Sequence, residues 1–231
     1  MQAKDIMTTN VATVTPDTSV NDVAKLLIEK SISGAPVTNA DGTLVGVVSE
    51  GDLLRRPELE TERHSSWWLD LLANNRETAA EYVKSHGTKA ADVMTRNVVS
   101  VSETATVGEI AATLEKHRIK RVPVVRDGKV VGIVSRANLL HGLAARKEPS
   151  AATPSADDRT IREKLTEQLE SQGWVSSGSL NLIVDGGIVQ LWGWVDSEEE
   201  RRAIVLAAEQ YPGVKGVEDH LGSLPPYLRS A

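Results

Sequence analysis

Asp5-Ile6-Met7-Thr8 returns 87 positions later as Asp92-Val93-Met94-Thr95, and Pro36-Val37 returns at the same offset as Pro123-Val124. After one extra residue, Ala40, the offset falls to 86, and Gly46-Val47-Val48-Ser49 returns as Gly132-Ile133-Val134-Ser135. Residues 3–39 and 41–54 give 51 aligned pairs, of which 21 are identical; chance would give about three, so the repeat is a true duplication. Whatever one copy folds into, the other must fold into as well. A unit of about fifty residues is also too small to bury its own apolar face, so the copies need a partner surface.

Each copy reads the same way. A short strand (Val11–Val14; Val98–Val101) precedes an amphipathic helix with apolar residues at i, i+3, i+4 and i+7: Val20, Val23, Ala24 and Leu27, then Val107, Ile110, Ala111 and Leu114. Ser19-x-x-Asp22 and Thr106-x-x-Glu109 open these helices with capping-box chemistry. Two apolar strands follow, around Val37 and Leu44–Val48 in one copy and Val122–Val125 and Val130–Val134 in the other. Asp41-Gly42 and Asp127-Gly128 supply the tight turns between them. A second helix starts after the serine. The unit is β-α-β-β-α, and two such units are expected to pair their sheets about a pseudo-twofold axis.

The pattern D-[IV]-M-T, then h-P-V, then D-G, then G-h-V-S-x-x-[DN]-L-L resembles the CBS domain in both copies, residues 1–56 and 89–145, and the tandem resembles a Bateman module. The resemblance implies an adenosine-ligand sensor, with clefts for AMP, ATP or S-adenosylmethionine as a regulatory ligand and no cofactor. In that family a carboxylate at the start of the last helix accepts from the ribose hydroxyls, and the serine before it faces ribose or phosphate. The matching pairs are Ser49 with Asp52 and Ser135 with Asn138; asparagine keeps an acceptor but loses the charge. Helix capping is the other reading of both pairs. The resemblance adds Val14, Ala35 and Pro36 to the nucleotide contacts of copy one, and Val101, Val122 and Pro123 to those of copy two. Copy two also carries His117-Arg118-Ile119-Lys120-Arg121, with Arg136 directly after Ser135. This run is similar to the corresponding stretch in the γ subunit of AMP-activated protein kinase, which implies that Arg118, Lys120, Arg121 and Arg136 hold phosphates. A solvated helix end is the plainer alternative.

Residues 57–88 belong to neither copy. They read as a helical hairpin, from Trp67 to Ala73 and from about Glu77 to His86, with Gly87 as a C′ residue. Trp67 and Trp68 give it an apolar face, either as a lid on its own module or as an interface anchor. Residues 146–156, rich in Pro, Ser and Ala, read as a linker. Beyond them come a helix stripe (Ile161, Leu165, Leu169), a hairpin of Leu180–Val184 and Ile188–Val195 about Asp185-Gly186-Gly187, a second helix (Ile204, Ala207, Ala208, Tyr211) and a last strand, Val214–Leu221. With Val189-x-Leu191-x-Gly193-x-Val195 and Pro212-Gly213-Val214-x-x-Val217, this α-β-β-α-β order resembles a BON domain over residues 157–224, leaving 225–231 as a tail.

Alternation puts Leu180, Leu182, Val184, Val189, Leu191 and Val195 on the face the helices should cover. Ile183, Ile188, Trp192 and Trp194 fall on the opposite face, which is too apolar for open solvent. The CBS module, a second chain or a lipid surface is expected to cover them. BON domains are associated with phospholipid attachment. Here, however, the entire net charge of −6 falls within residues 157–231, and MQAKDIMTTN has no apolar export core. Both observations favour a protein contact over a membrane, and the acidity disfavours nucleic acid.

The chain has no cysteine, which excludes disulfides, thiolate metal sites and thiol catalysis. Its five histidines are scattered without ligand spacing, and no Walker loop, G-x-G-x-x-G, H-E-x-x-H or G-x-S-x-G occurs. CBS pairs are also found inserted in IMP dehydrogenase, but that barrel needs about 250 residues by itself. The expectation is an α+β, cytoplasmic, non-enzymatic adenine-nucleotide sensor, homodimeric through its CBS module, whose BON domain reports to an unknown protein partner. Its rival is an interaction scaffold with empty clefts.

Overall fold

The computed structural model describes residues 1–54, 82–145, 156–175 and 180–223, and the fold is α+β. The first copy contributes α1 (Ala3–Ile6), α2 (Val20–Glu29), β1 (Gly34–Thr38), β2 (Leu44–Ser49) and α3 (Glu50–Leu53). The second contributes α4 (Ala90–Val93), β3 (Val101–Ser102), α5 (Val107–Lys116), β4 (Arg121–Arg126), β5 (Lys129–Ser135) and α6 (Arg136–Ala144). The third region contributes α7 (Ala156–Glu170), β6 (Asn181–Asp185), β7 (Ile188–Val195), α8 (Glu198–Glu209) and β8 (Gly216–Ser223). Trp67 and Trp68, with most of the insert, the linker and the tail, lie outside the described residues.

Local chemistry sets these elements. Ser19 Oγ accepts from Asp22 N at 3.1 Å, and Thr106 forms the reciprocal box with Glu109. Asp127 and Gly128 both take left-handed backbone (φ 52° and 77°), giving copy two the two-residue turn that matches strand twist. Copy one carries the extra Ala40; there only Gly42 is left-handed, and the β1–β2 register shifts between Val37 and Thr38. The predicted strand Val11–Val14 shrinks to one bridge, Val14 with Val37, because Pro16 has no N–H with which to extend it. In copy two Glu103 stands at that position, and β3 pairs in parallel with β4 over two residues. Gly87 is not left-handed as a C′ glycine would be; it is needed for space, since a Cβ there would collide with Asp92.

The chain divides into two compact units whose boundaries differ from the repeat boundaries. One holds Ala12–Val98 with Gly128–Val130; the other holds Met1–Val11, Val99–Asp127 and everything from Val131 on. The leading D-h-M-T motif of each repeat is thus built into the other repeat's body. In the first unit Ala90, Val93 and Met94 share a core with Val23, Leu27, Val37 and Val48, and Thr95 bridges Val47. In the second, Ile6 and Met7 share a core with Ile110, Leu114, Val124 and Val134, and Thr8 bridges Ile133. The repeated glycines explain the docking. A Cβ on Gly46 would collide with the Met94 thioether, and one on Gly132 with that of Met7.

The third region forms the sheet β6-β7-β8, β6 antiparallel and β8 parallel to the central β7. Leu182, Val184, Val189, Leu191 and Val195 face Ile161, Leu165, Leu169 and Ile204, as their alternation requires. Gly186 and Gly187 are both left-handed in the hairpin turn, and the buried Asp158 accepts from their amides at 3.2 and 2.7 Å.

Candidate functional site

In copy one, β2 ends at Ser49, whose amide and hydroxyl donate to Asp52 Oδ2 at 2.9 and 2.7 Å. Asp52 Oδ1 lies 3.6 Å from Lys84 Nζ, a residue of the insert that sequence reasoning did not single out. Val14, Ala35 and Pro36 are buried, and Val14 and Ala35 belong to the core of their unit, so their side chains form the wall behind this end of the sheet and not its rim.

Copy two repeats the geometry with a different outcome. Ser135 N and Oγ donate to Asn138 Oδ1 at 2.8 and 2.7 Å, and Asn138 Nδ2 donates to Ile6 O at 3.0 Å and Thr8 Oγ1 at 3.3 Å. Both acceptor positions and both N–H groups of the amide are therefore used, and the residue is 5% exposed. Capping is the role the structure gives Ser49–Asp52 and Ser135–Asn138 alike. Val122 and Pro123 are buried in β4, with Val122 in the core, while Val101 is half-buried.

The cations behave differently. Arg118 follows α5 in left-handed backbone (φ 52°), and Arg136 is the first residue of α6. With Ala111, Leu114, Glu115 and Leu139 they line an open cleft of about 470 Å³. Lys120 adjoins them, its carbonyl accepting from Arg136 N at 3.2 Å. Arg118, Lys120 and Arg136 are exposed and have no side-chain partner among the described residues, whereas Arg121 is engaged. Three cations unpaired among the described residues, Arg136 at the start of α6 and Arg118 and Lys120 in the connection after α5, form a surface that attracts phosphate oxygens.

The outer face of the third sheet is partly covered by copy two. Ile183, 1% exposed, belongs to the same core as Ile6, Met7 and Ala145, and Trp192 packs against it. The Trp192 indole is stacked between two imidazoles, His141 at 4.6 Å and His220 at 4.0 Å between ring centroids. Gln190 Nε2 donates to Glu218 at 2.8 Å and to Ala145 O at 3.4 Å. Trp194, by contrast, is not covered by copy two: it is 53% exposed, lying across Gly222, where a Cβ would meet its ring at 2.7 Å. Ile188 is half-buried.

Sequence reasoning also missed Arg162. Its guanidinium is buried and donates to Leu182 O and Lys4 O at 2.8 Å each and to Met7 O at 2.5 Å. Burial among carbonyls pulls its pKa down to about 10. Neighbouring Arg159 pairs with Asp5 at 2.9 Å. The available signal was a cation set inside the apolar stripe Ile161, Leu165, Leu169.

Comparison with known proteins agrees with this architecture. The CBS domain family matches residues 3–58 and 90–145, and the BON domain family matches residues 157–222. The uncharacterized protein MJ1426 of Methanocaldococcus jannaschii is 37% identical over 154 residues, covering 62% of this chain and 91% of that protein. The chloroplastic CBS domain-containing protein CBSX2 of Arabidopsis thaliana is 32% identical over 151 residues, covering 62% of this chain and 63% of its own. A crystal structure of CBSX2 in complex with AMP superposes with a TM-score of 0.56 at 33% identity, covering 64% of this chain and 99% of that one. An enzyme, the L-aspartate semialdehyde sulfurtransferase of M. jannaschii, is 29% identical, but over only 23% of its length. Two matched repeats, the exchanged leading motifs and a matched third region place this chain among the CBS-domain proteins, as a tandem CBS pair followed by a BON domain.

Proposed function

We propose that the protein is a non-enzymatic regulator that binds an adenine nucleotide at its CBS repeats, with the BON domain as its interaction module. The observation that carries this reading is the cluster of Arg118, Lys120 and Arg136, without side-chain partners among the described residues, beside an open cleft. Like charges gathered beside one cleft repel one another, and an anionic ligand relieves that cost. The AMP complex of CBSX2 supports the choice of an adenosine ligand. In copy one, Asp52 Oδ1 faces Lys84 at 3.6 Å, so a ribose hydroxyl competes with a surface ion pair there.

Calorimetric titration of ATP, AMP and S-adenosylmethionine tests the reading. ATP or AMP is expected to bind, and Arg118→Ala with Arg136→Ala should weaken binding at least about tenfold, since charge-assisted hydrogen bonds contribute roughly 1.5–3 kcal/mol each. Unchanged affinity in the double variant would remove the cation cluster from the site. A second reading, a scaffold with empty clefts, draws on Asn138, whose amide is wholly used within the protein. Heat-free titrations with all three ligands would favour it.

A further inference from the structure

We propose that the BON domain is a built-in brake on the second CBS repeat, holding the Ser135–Asn138 end of that repeat engaged through the segment Ala3–Thr8. As regards ligand, the proposal rests on the nucleotide reading given above; as regards structure, it does not.

The segment is gripped from two sides. On the repeat's side, Thr8 and Ile133 exchange backbone hydrogen bonds at 3.0 and 2.9 Å, and Asn138 Nδ2 donates to Ile6 O and Thr8 Oγ1. Ala3 N and Lys4 N donate to Ala105 O and Glu103 O at 2.8 and 3.0 Å. On the BON side, Arg162 holds Lys4 O and Met7 O, and Arg159 holds Asp5. Arg162 also holds Leu182 O of the BON sheet, so its planar fork fixes the segment and that strand in one rigid geometry. Packing alone would not call for this residue, because an aliphatic side chain fills the same space without desolvating a charge.

Consecutive carbonyls of the segment therefore serve different masters: Ile6 O belongs to Asn138 and Met7 O to Arg162. A ligand hydroxyl that takes a hydrogen-bonding position of Asn138 must displace one already filled. Movement of Asn138 away from Ile6 and Thr8 disturbs the peptide next to the one that Arg162 grips. Coupling between two sites is reciprocal in free energy. Ligand at copy two loosens the BON docking, and loosening the BON docking raises affinity at copy two.

The test uses the full chain with Arg162→Met and, as a milder change at a partly exposed side chain, Arg159→Ala. Hydrogen–deuterium exchange is expected to speed up at least about tenfold at the Thr8 and Ile133 amides in Arg162→Met, and by less in Arg159→Ala, while Leu191 in the BON core keeps its protection. No change at Ile133, or equal acceleration at Leu191, overturns the brake. With Asp52→Ala to silence copy one, ATP titrated by calorimetry should bind about three- to tenfold tighter when Arg159→Ala is added. Equal or weaker binding overturns the proposed coupling. If ATP binds neither protein, the nucleotide reading of copy two fails, and the exchange result at Ile133 alone decides whether the BON domain restrains this end of the repeat.

Discussion

His141 shows how much one side chain decides at the junction between copy two and the BON sheet. Its ring is stacked on Trp192, its Nδ1 is buried without a partner among the described residues, and burial, followed by the charge of His220, holds its pKa below the ordinary 6.5. Glu218 lies 4.0 Å from His220 at the edge of this stack. Undocked, His141 takes up a proton near its ordinary value; docked, it does so only at lower pH. The docked form therefore binds fewer protons between those two values. The stability that docking confers is full above about pH 6.5 and declines as the pH falls through that window. Melting temperatures from about pH 7.5 to 5.5 should fall more steeply for the wild type than for His141→Phe, which keeps the stack and removes the proton. Parallel curves would show that His141 does not govern the junction.

At the scale of elements, the D-h-M-T motifs and the G-h-V-S strands act as plug and socket. Gly132→Ala places a methyl group where the Met7 thioether sits, and Gly46→Ala does the same to Met94. Overpacking of this kind costs about 1–3 kcal/mol, and shortening the plug should recover part of it. A double-mutant cycle of Gly132→Ala with Met7→Val, followed by urea denaturation, should show coupling of at least about 0.5 kcal/mol. Strict additivity would mean that Met7 and Gly132 do not touch in solution. The repeat, the capped helices, the turns and the two faces of the BON sheet were all legible in the sequence, because each follows from a period or a local turn rule. The exchange of plugs was not. Met7 and Met94 stand in identical motifs, and nothing local says which glycine each one meets. Arg162 was hidden for a related reason, since its three partners are main-chain carbonyls that carry no side-chain signature. Of the expected site, the pairing of Ser135 with Asn138 was readable, but the further use of that amide on Ile6 and Thr8 depends on a contact between residues 132 positions apart.

For the whole molecule, the BON region contributes to the core of the second CBS repeat. Ile183 belongs to the same cluster as Ile6, Met7 and Ala145. A chain ending at residue 155 lacks Ile183 and Trp192 and would expose the apolar face of Ile6, Met7 and Ala145 that they cover, at about 25 cal/mol per Å². Such a truncation should lower the melting temperature and bind an apolar dye strongly. Retention of the full-length melting temperature would mean that the face closes by itself. None of the helices among the described residues is long and apolar enough to cross a membrane.

The exchanged plug also sets a timetable. Residues 1–11 leave the ribosome well before their socket, which is made by β5 and α6 more than a hundred residues later, and Arg162 and Arg159, which grip the segment from the other side, come later still. The unit built on Ala12–Val98 closes over short sequence separations apart from its three borrowed residues, Gly128–Val130. Long-range closure is slow, because loop entropy is lost before the contacts form. Synthesis should therefore yield the unit built on Ala12–Val98 early, while residues 1–11 trail, exposed with Ile6 and Met7, until the BON domain appears.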